Sequence, residues 1–293
     1  MTAVPRLTHA RAPTTGTVTV TDENGARTVV SIPAERPLTI YVDNRELVTL
    51  MTLGAQPEWL VLGFLRNQRL IDALSDIESI TVDWDVNAAA VKTREGIDAV
   101  EQRTARRVVT TGCGQGSVFG GLMDDIDSIS LPPASQACIT QATLYGIVNA
   151  IRLQESTYKS AGSVHGCALF RGAQMLLFVE DVGRHNAIDT IAGWMWLQQD
   201  DPSAASAAEC VFYTTGRLTS EMIMKSAQMG VPIVISRSGI TQMGFDLAER
   251  LGLCAVGRAT NRRFLCYATP DRIRFDTAAA QQPTSSGGGG SGA

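Results

Sequence analysis

The sequence predicts an α/β fold, a layered α/β domain preceded by a β-rich portion, and three observations carry that reading. From Arg106 onward, short apolar runs alternate with helix-length patterns, as expected for a largely parallel sheet covered by helices. Several of those runs end in a polar corner with a glycine that opens a helix, most fully at Glu180-Asp181-Val182-Gly183-Arg184-His185-Asn186-Ala187-Ile188-Asp189. Before residue 105 the runs are alternating or β-branched, and only one segment reads as a helix.

Taken in order, residues 1–14 read as a flexible, polar, proline-containing arm. Strands are expected at Thr17–Thr21, Thr28–Ile32, Leu38–Val42 and Leu47–Thr52, the first two joined by the hairpin signal Asn24-Gly25. Pro57 opens a helix through Leu60, Leu62, Phe64 and Leu65 that ends near Gln68 or Arg69. Ser79–Trp84 and Asn87–Lys92 face each other across Asp85-Val86 and complete a β-rich portion spanning 15–105. The α/β domain, 106–277, begins with a strand at Arg107–Thr110, a glycine loop through Ser117 and a polar stretch at Asp124–Ser135. A long helix is expected at about 138–155. Further strands are expected at Ala168–Arg171, Met175–Val179, Cys210–Thr214, Pro232–Ser236, Cys254–Val256 and Phe264–Tyr267. Helices are expected at about 184–198, 219–229 and 241–251, with Ile188, Ile191 and Met195 on one face of the first. Residues 278–293 form a Gly/Ser tail resembling an expression linker. There is no internal repeat.

A length of 293 residues suits one large domain or two small ones, and 44% hydrophobic with 18% charged residues is ordinary for a core-forming chain. A net charge of −4 argues against a general nucleic-acid binder, so an anionic ligand must be held by a local arginine cluster. No stretch approaches the roughly 18 apolar residues of a membrane span, and the N-terminus lacks a basic-then-apolar signal sequence, which points to the cytoplasm. The six cysteines are scattered without a Cys-x-x-Cys pair. Cys138, Cys167, Cys210, Cys254 and Cys266 sit in apolar surroundings and read as small core hydrophobes in a reducing compartment.

Cys113 is placed differently, in Thr111-Gly112-Cys113-Gly114-Gln115-Gly116-Ser117. Glycines let a large reactant approach, and successive loop N–H groups favour a thiolate; the alternative is a surface loop with an incidental cysteine. His165 lies between the long helix and a strand, where a lone histidine is more often structural, whereas His185 is flanked by Arg184 and Asn186. Too few neighbouring ligands accompany either one for a metal site. Strand-to-helix corners offer unpaired N–H groups to anions. The Glu180–Asp189 corner is therefore a candidate ligand site, against the alternative of a polar capped helix start. Arg217, in Thr215-Gly216-Arg217, and Arg237, in Ser236-Arg237-Ser238-Gly239, repeat that placement; Gly257-Arg258 is read as a further glycine turn. Each is weak alone, but three arginine-bearing turns, each after a strand, suggest a bulky polyanion on one edge of the sheet.

At this point the residues resemble the FdhD family, sulfurtransferases required for formate dehydrogenase activity. Glu180 to Ala187 is similar to its signature. Pro37–Val42, Leu60–Leu65, Val164-His165, Thr215-Gly216-Arg217, Ser220-Glu221-Met222, Gly230-Val231-Pro232 and Leu247-Ala248-Glu249 follow in the family's order, so the resemblance covers about residues 15–275. It implies a cytidine-deaminase-like α/β/α fold, a homodimer, and a cysteine desulfurase that loads a persulfide onto Cys113. The sulfur would pass to the molybdenum or tungsten of a bis(molybdopterin guanine dinucleotide) cofactor, delivered to the formate dehydrogenase catalytic subunit. The guanine-nucleotide contact implied near the C-terminus falls on Arg258, Ala259, Thr260, Asn261, Arg262 and Arg263, with GDP as the expected mimic. Arg184, His185, Arg217, Arg237 and His165 are the further candidate cofactor contacts. Many members carry Cys-x-x-Cys in the loop, whereas Gly116 stands in the second position here, so Cys113 is expected to carry the sulfur alone. Competing readings are a cofactor chaperone that moves no sulfur, a zinc deaminase and a GTP-binding module. The deaminase lacks a Glu two residues after His165 and a Pro-Cys-x-x-Cys; the GTP module lacks a Walker motif.

Overall fold

Alternating and β-branched segments build the first sheet, β1 (Arg6–Leu7), β4 (Arg36–Val42), β5 (Arg45–Thr52), β6 (Ile77–Asp83) and β7 (Ala88–Thr93). Its strand order is β1-β6-β7-β4-β5. The computed structural model describes residues 4–96, 108–109, 116–117 and 126–276. β2 (Thr15–Thr21) and β3 (Arg27–Pro33) form a separate antiparallel hairpin around Asn24-Gly25. Asp43 and Asn44, both at positive φ (47° and 68°), make the tight turn from β4 to β5. Residues 1–14 are expected as a loose arm, yet Arg6–Leu7 pairs in parallel with β6. The reason is Glu58, a buried carboxylate that accepts bonds from Thr8 Oγ1 (2.7 Å) and the Ala10 amide (2.6 Å) and so pins this stretch.

One face of this sheet packs on α1 (Pro57–Asn67), where Leu60, Val61, Phe64 and Leu65 meet Leu38, Ile40, Leu50, Ile80 and Val91. After it come the short pairs β8 (Val108–Val109) with β9 (Gly116–Ser117), then β10 (Ile139–Thr140), which pairs with the last strand. The expected helix at 138–155 starts later, as α2 (Gln141–Leu153), because Thr140 caps it by accepting the Thr143 amide at 3.0 Å. α3 (Thr157–Ala161) is a short helix that periodicity does not signal.

The second sheet comprises β11 (His165–Arg171), β12 (Gln174–Asp181), β13 (Cys210–Thr214), β14 (Ile233–Ser236), β15 (Cys254–Thr260) and β16 (Arg263–Ala268), in the order β12-β11-β13-β14-β15-β16. Helices α4 (Arg184–Leu197), α5 (Ser220–Gln228) and α6 (Gln242–Leu251) stand where expected. Alternation along the strands divides the core into two layers. Cys167, Leu169, Phe212, Val234 and Ala255 pack with α4, α5 and α6, while Ala168, Phe170, Val211, Tyr213, Ile235 and Val256 pack with α2. The result is an α/β/α arrangement.

The sheet is mixed, not largely parallel. Only β13/β14 and β14/β15 run parallel; β12/β11, β11/β13 and β15/β16 are antiparallel. Two-residue links at Gly172-Ala173 and Asn261-Arg262 dictate part of this, since so short a connection can only return the chain antiparallel. β15 also runs past the expected end at Val256 to Thr260, so Gly257-Arg258 is strand and the turn falls at Asn261.

α4 is buried on both sides, because α1 crosses it opposite the second sheet. The approach is close enough that a Cβ on Gly63 would fall on the Asp189 carbonyl, and one on Gly193 on the Trp59 carbonyl. The sequence pattern predicts an amphipathic helix here; its polar face is instead covered by α1.

Candidate functional site

The register of the second sheet places the candidate residues along one edge. β13, β14 and β15 run parallel, so the loops after Thr214 and Ser236 and the end of β15 emerge on the same side. β11 is antiparallel to β13, which puts its first residue, His165, at that edge, opposite Asp181 of β12. Arg184 and His185 begin α4 immediately beyond. The loops interlock: Leu218 N donates to Gly239 O (2.9 Å), Ser236 Oγ to Gly216 O (2.6 Å) and Arg258 N to Ser238 O (2.7 Å). Arg217, Arg237, Arg258, Thr260, Asn261, Arg262 and Arg263 are exposed along this rim, whereas Ala259 turns inward and is 1% exposed.

The Glu180–Asp189 corner is organised by its acids. Glu180 accepts the Thr157 and Tyr158 amides (2.5 and 2.9 Å), so it caps α3. Asp181 is buried and accepts from Thr52 Oγ1, the Leu53 and Gly183 amides (3.2 Å each) and Asn186 Nδ2 (2.9 Å). Asn186 also donates to Met51 O at 2.6 Å, which ties the corner to β5. Burial pushes the Asp181 carboxyl up, and these donors oppose that shift.

Deeper along α4, Asp189 accepts from Lys225 Nζ (2.8 Å) and Asn67 Nδ2 (2.7 Å), joining α4, α5 and α1 through one carboxylate. Lys225 lies 3.8 Å from Glu221, whose other oxygen stands 3.5 Å from His185 Nε2. Burial, helped by the cations of Lys225 and Arg184 and by His165, pushes His185 down to about 2, so its ring is neutral at pH 7. With Nε2–H toward Glu221, the network assigns the lone pair to Nδ1, which is buried and has no hydrogen-bond partner among the described residues. Half-buried His165 is likewise pushed down, by burial and then by Arg184 and Arg217. Arg184 packs over Gly216: a Cβ there would meet its Cδ at 2.8 Å and its Cβ at 3.3 Å.

His165, Arg184, His185 and Arg217 thus come together, and Arg237 with Arg258–Arg263 continues the rim. Cys113 lies outside the described residues. Sequence reasoning includes Asp189 in the corner but misses Thr52, Asn67, Glu221 and Lys225 as parts of it. Only the i,i+4 pair Glu221/Lys225 leaves a local trace; the remaining contacts span 36 to 129 positions. α5 starts at Ser220, and the side chain of Thr219 before it makes no capping bond. Cys167 and Cys210 behave as core residues, their thiols pushed up to about 12 and about 11, in each case mainly by burial. No three His, Cys, Asp or Glu side chains among the described residues cluster closely enough for a metal ion. No described helix is long and apolar enough to cross a membrane.

The sequence model of the FdhD/NarQ family matches residues 33–274. The chain belongs to the FdhD/NarQ family. It is 28% identical over 268 residues to a sulfur carrier protein FdhD of Halalkalibacterium halodurans, covering 91% of this chain and 97% of that one. It is 30% identical over 240 residues to the protein of that name in Bacillus subtilis, covering 82% and 89%. Its fold is similar to the crystal structure of a chain described as a formate dehydrogenase accessory protein from Desulfotalea psychrophila. The TM-score is 0.69 at 25% identity, over 89% of this chain and 98% of that one.

Proposed function

We propose that this chain is a sulfurtransferase, a sulfur carrier that takes persulfide sulfur from a cysteine desulfurase onto Cys113 and passes it to a bis(molybdopterin guanine dinucleotide) cofactor, thereby activating formate dehydrogenase. It acts as a cytoplasmic homodimer. The observation that carries the reading is the arginine rim, in a chain whose relatives are named sulfur carrier proteins. An acidic protein that presents Arg217, Arg237, Arg258, Arg262 and Arg263 along one sheet edge has the donors for two pyrophosphates. Neutral His165 and His185, with Arg184 over Gly216, border that rim.

In the loading step the Cys113 thiolate attacks the terminal sulfur of the desulfurase persulfide. A new S–S bond forms, the donor's S–S bond breaks, and the desulfurase thiolate leaves. The cargo supplies the metal that receives the sulfur; the rim binds and orients its phosphates. A cytidine-deaminase-like fold of the α/β/α layer is part of the same proposal.

Cys113→Ser tests the reading. Mass spectrometry after incubation with desulfurase and cysteine should show the persulfide on Cys113 and none in the variant. The variant should fail to activate apo-formate dehydrogenase while its GDP affinity stays within about twofold of the parent's, the rim being untouched. A persulfide that persists in the variant overturns the assignment. Full activation by the variant supports a cofactor chaperone without sulfur transfer.

A further inference from the structure

Two cysteines that the sulfur-carrier reading does not use stand side by side on β15 and β16. Cys254 Sγ and Cys266 Sγ are 3.9 Å apart, and both are free thiols. The register explains the meeting. Ala255 pairs with Ala268 and Val256 with Cys266, so Tyr267 is an extra residue on β16 and the pair is bulged there. A bulge adds local twist, and strand alternation puts Cys254 on the same face as Val256 and hence as its partner Cys266. Cys254 belongs to the core layer that α2 shares, and Cys266 packs against that layer. They are not equivalent: Cys254 is fully buried, whereas Cys266 is half-exposed and lies 3.4 Å from the Ala268 carbonyl.

We propose that Cys266 and Cys254 form a redox-active dithiol, a modification site separate from Cys113, in which Cys266 is attacked by hydrogen peroxide and Cys254 resolves it as a disulfide. The Cys254 thiol beside it holds Cys266 below the ordinary thiol range, while that neighbour and burial push Cys254 up, an asymmetry that suits an attacking and a resolving sulfur. In the first step the Cys266 thiolate attacks peroxide. An S–O bond forms, the O–O bond breaks, and hydroxide leaves to become water. In the second, Cys254 attacks the sulfenic sulfur. The S–S bond forms, the S–O bond breaks, and the oxygen departs as water with the Cys254 proton. The thiols lose two electrons and peroxide gains them. The cross-link ties together the two strands that end in the Arg258–Arg263 hairpin.

The experiment uses the full chain with Cys113→Ser, which removes the loop thiol and makes the outcome independent of sulfur transfer. After mild peroxide, alkylation and trypsin, a linked pair of peptides 251–258 and 264–272 should appear, reversed by dithiothreitol and absent in Cys266→Ser. Cys254→Ser should instead leave a dimedone adduct on Cys266. Recovery of both thiols alkylated, at peroxide levels that oxidise Cys113 in the parent chain, overturns the proposal; so does conversion of Cys266 to sulfinic acid without the link. The parent measurement stands even if the buried Cys254→Ser variant does not fold.

Discussion

The Asp181–Asp189 corner and the arginine rim lie within one sheet edge of each other, yet they are built in opposite ways. In the corner, Asp181, Arg184, His185, Asn186 and Asp189 are at most 5% exposed, and the acids are held by donors from α1, β5 and α5. On the rim, Arg217, Arg237, Arg258, Arg262 and Arg263 are exposed, and it is the backbone of their loops that is fixed. The corner therefore sets where things stand, and the rim supplies charge that can reach a ligand. Variants in the corner should be read in stability, and variants on the rim in binding.

The largest stability effect is expected at Lys225. The Lys225 and Asp189 side chains are 3% and 1% exposed, and removing one partner of such a pair leaves an uncompensated buried charge. Lys225→Ala should cost about 3–5 kcal/mol in urea unfolding, with the double variant Lys225→Met/Asp189→Leu much closer to the parent. A single-variant loss below about 1 kcal/mol would mean that the pair does not hold α4 to α5.

A glycine comparison comes next. Gly63→Ala places a Cβ on a backbone carbonyl of α4, which cannot rotate away, so α1 and α4 must separate. About 3 kcal/mol is the expected loss for such overpacking. Gly239, on the rim, has nothing within 4 Å of its would-be Cβ, and Gly239→Ala should change stability by less than about 0.5 kcal/mol. Equal effects at the two positions would erase the contrast between corner and rim.

His185 gives the corner a pH signature. Its pKa falls from 6.5 when unfolded to about 2 when folded, so the unfolded chain binds the proton more readily. Stability is complete above pH 6.5 and is lost as pH falls below it, by about 1.4 kcal/mol at pH 5.5. Glu221, Lys225, Arg184 and His165 surround the ring. His165, also pushed down, titrates in the same sense, and the raised carboxyls at Asp181 and Asp189 act in the opposite one, so the His185 component is read as the difference between the parent and a variant. His185→Gln should lack this component when denaturant midpoints are compared at pH 7.5 and 5.5. An identical loss in parent and variant would place the titration elsewhere.

Local pattern makes most of the elements legible, because strand alternation, Asn24-Gly25 and Pro57 act through neighbouring residues. Sheet direction is not legible at β11, since nothing near His165 encodes that it lies antiparallel to a strand ending at Thr214. Nor is the corner's interior. Asp189 finds Asn67 across 122 positions and Lys225 across 36, and the covering of α4 by α1 depends on Gly63 and Gly193, which read as ordinary helix positions. The arginine turns are legible as a set because each follows a strand. Only Gly257-Arg258 misleads, as β15 continues through it.

The smallest stability effect, and the sharpest test of the rim, is expected at Arg258 and Arg262. Neither side chain is buried, so replacing either with Ala should alter unfolding free energy by less than about 0.5 kcal/mol. If the rim binds phosphates, removing one charge-assisted hydrogen bond should weaken GDP binding by about tenfold or more, and the salt dependence of binding should become shallower. Lys225→Met/Asp189→Leu, which leaves every rim arginine in place, should bind GDP far closer to the parent value. If the arginine variants bind normally while the corner variant does not, the anion is held within the corner and the rim is only a solvated face.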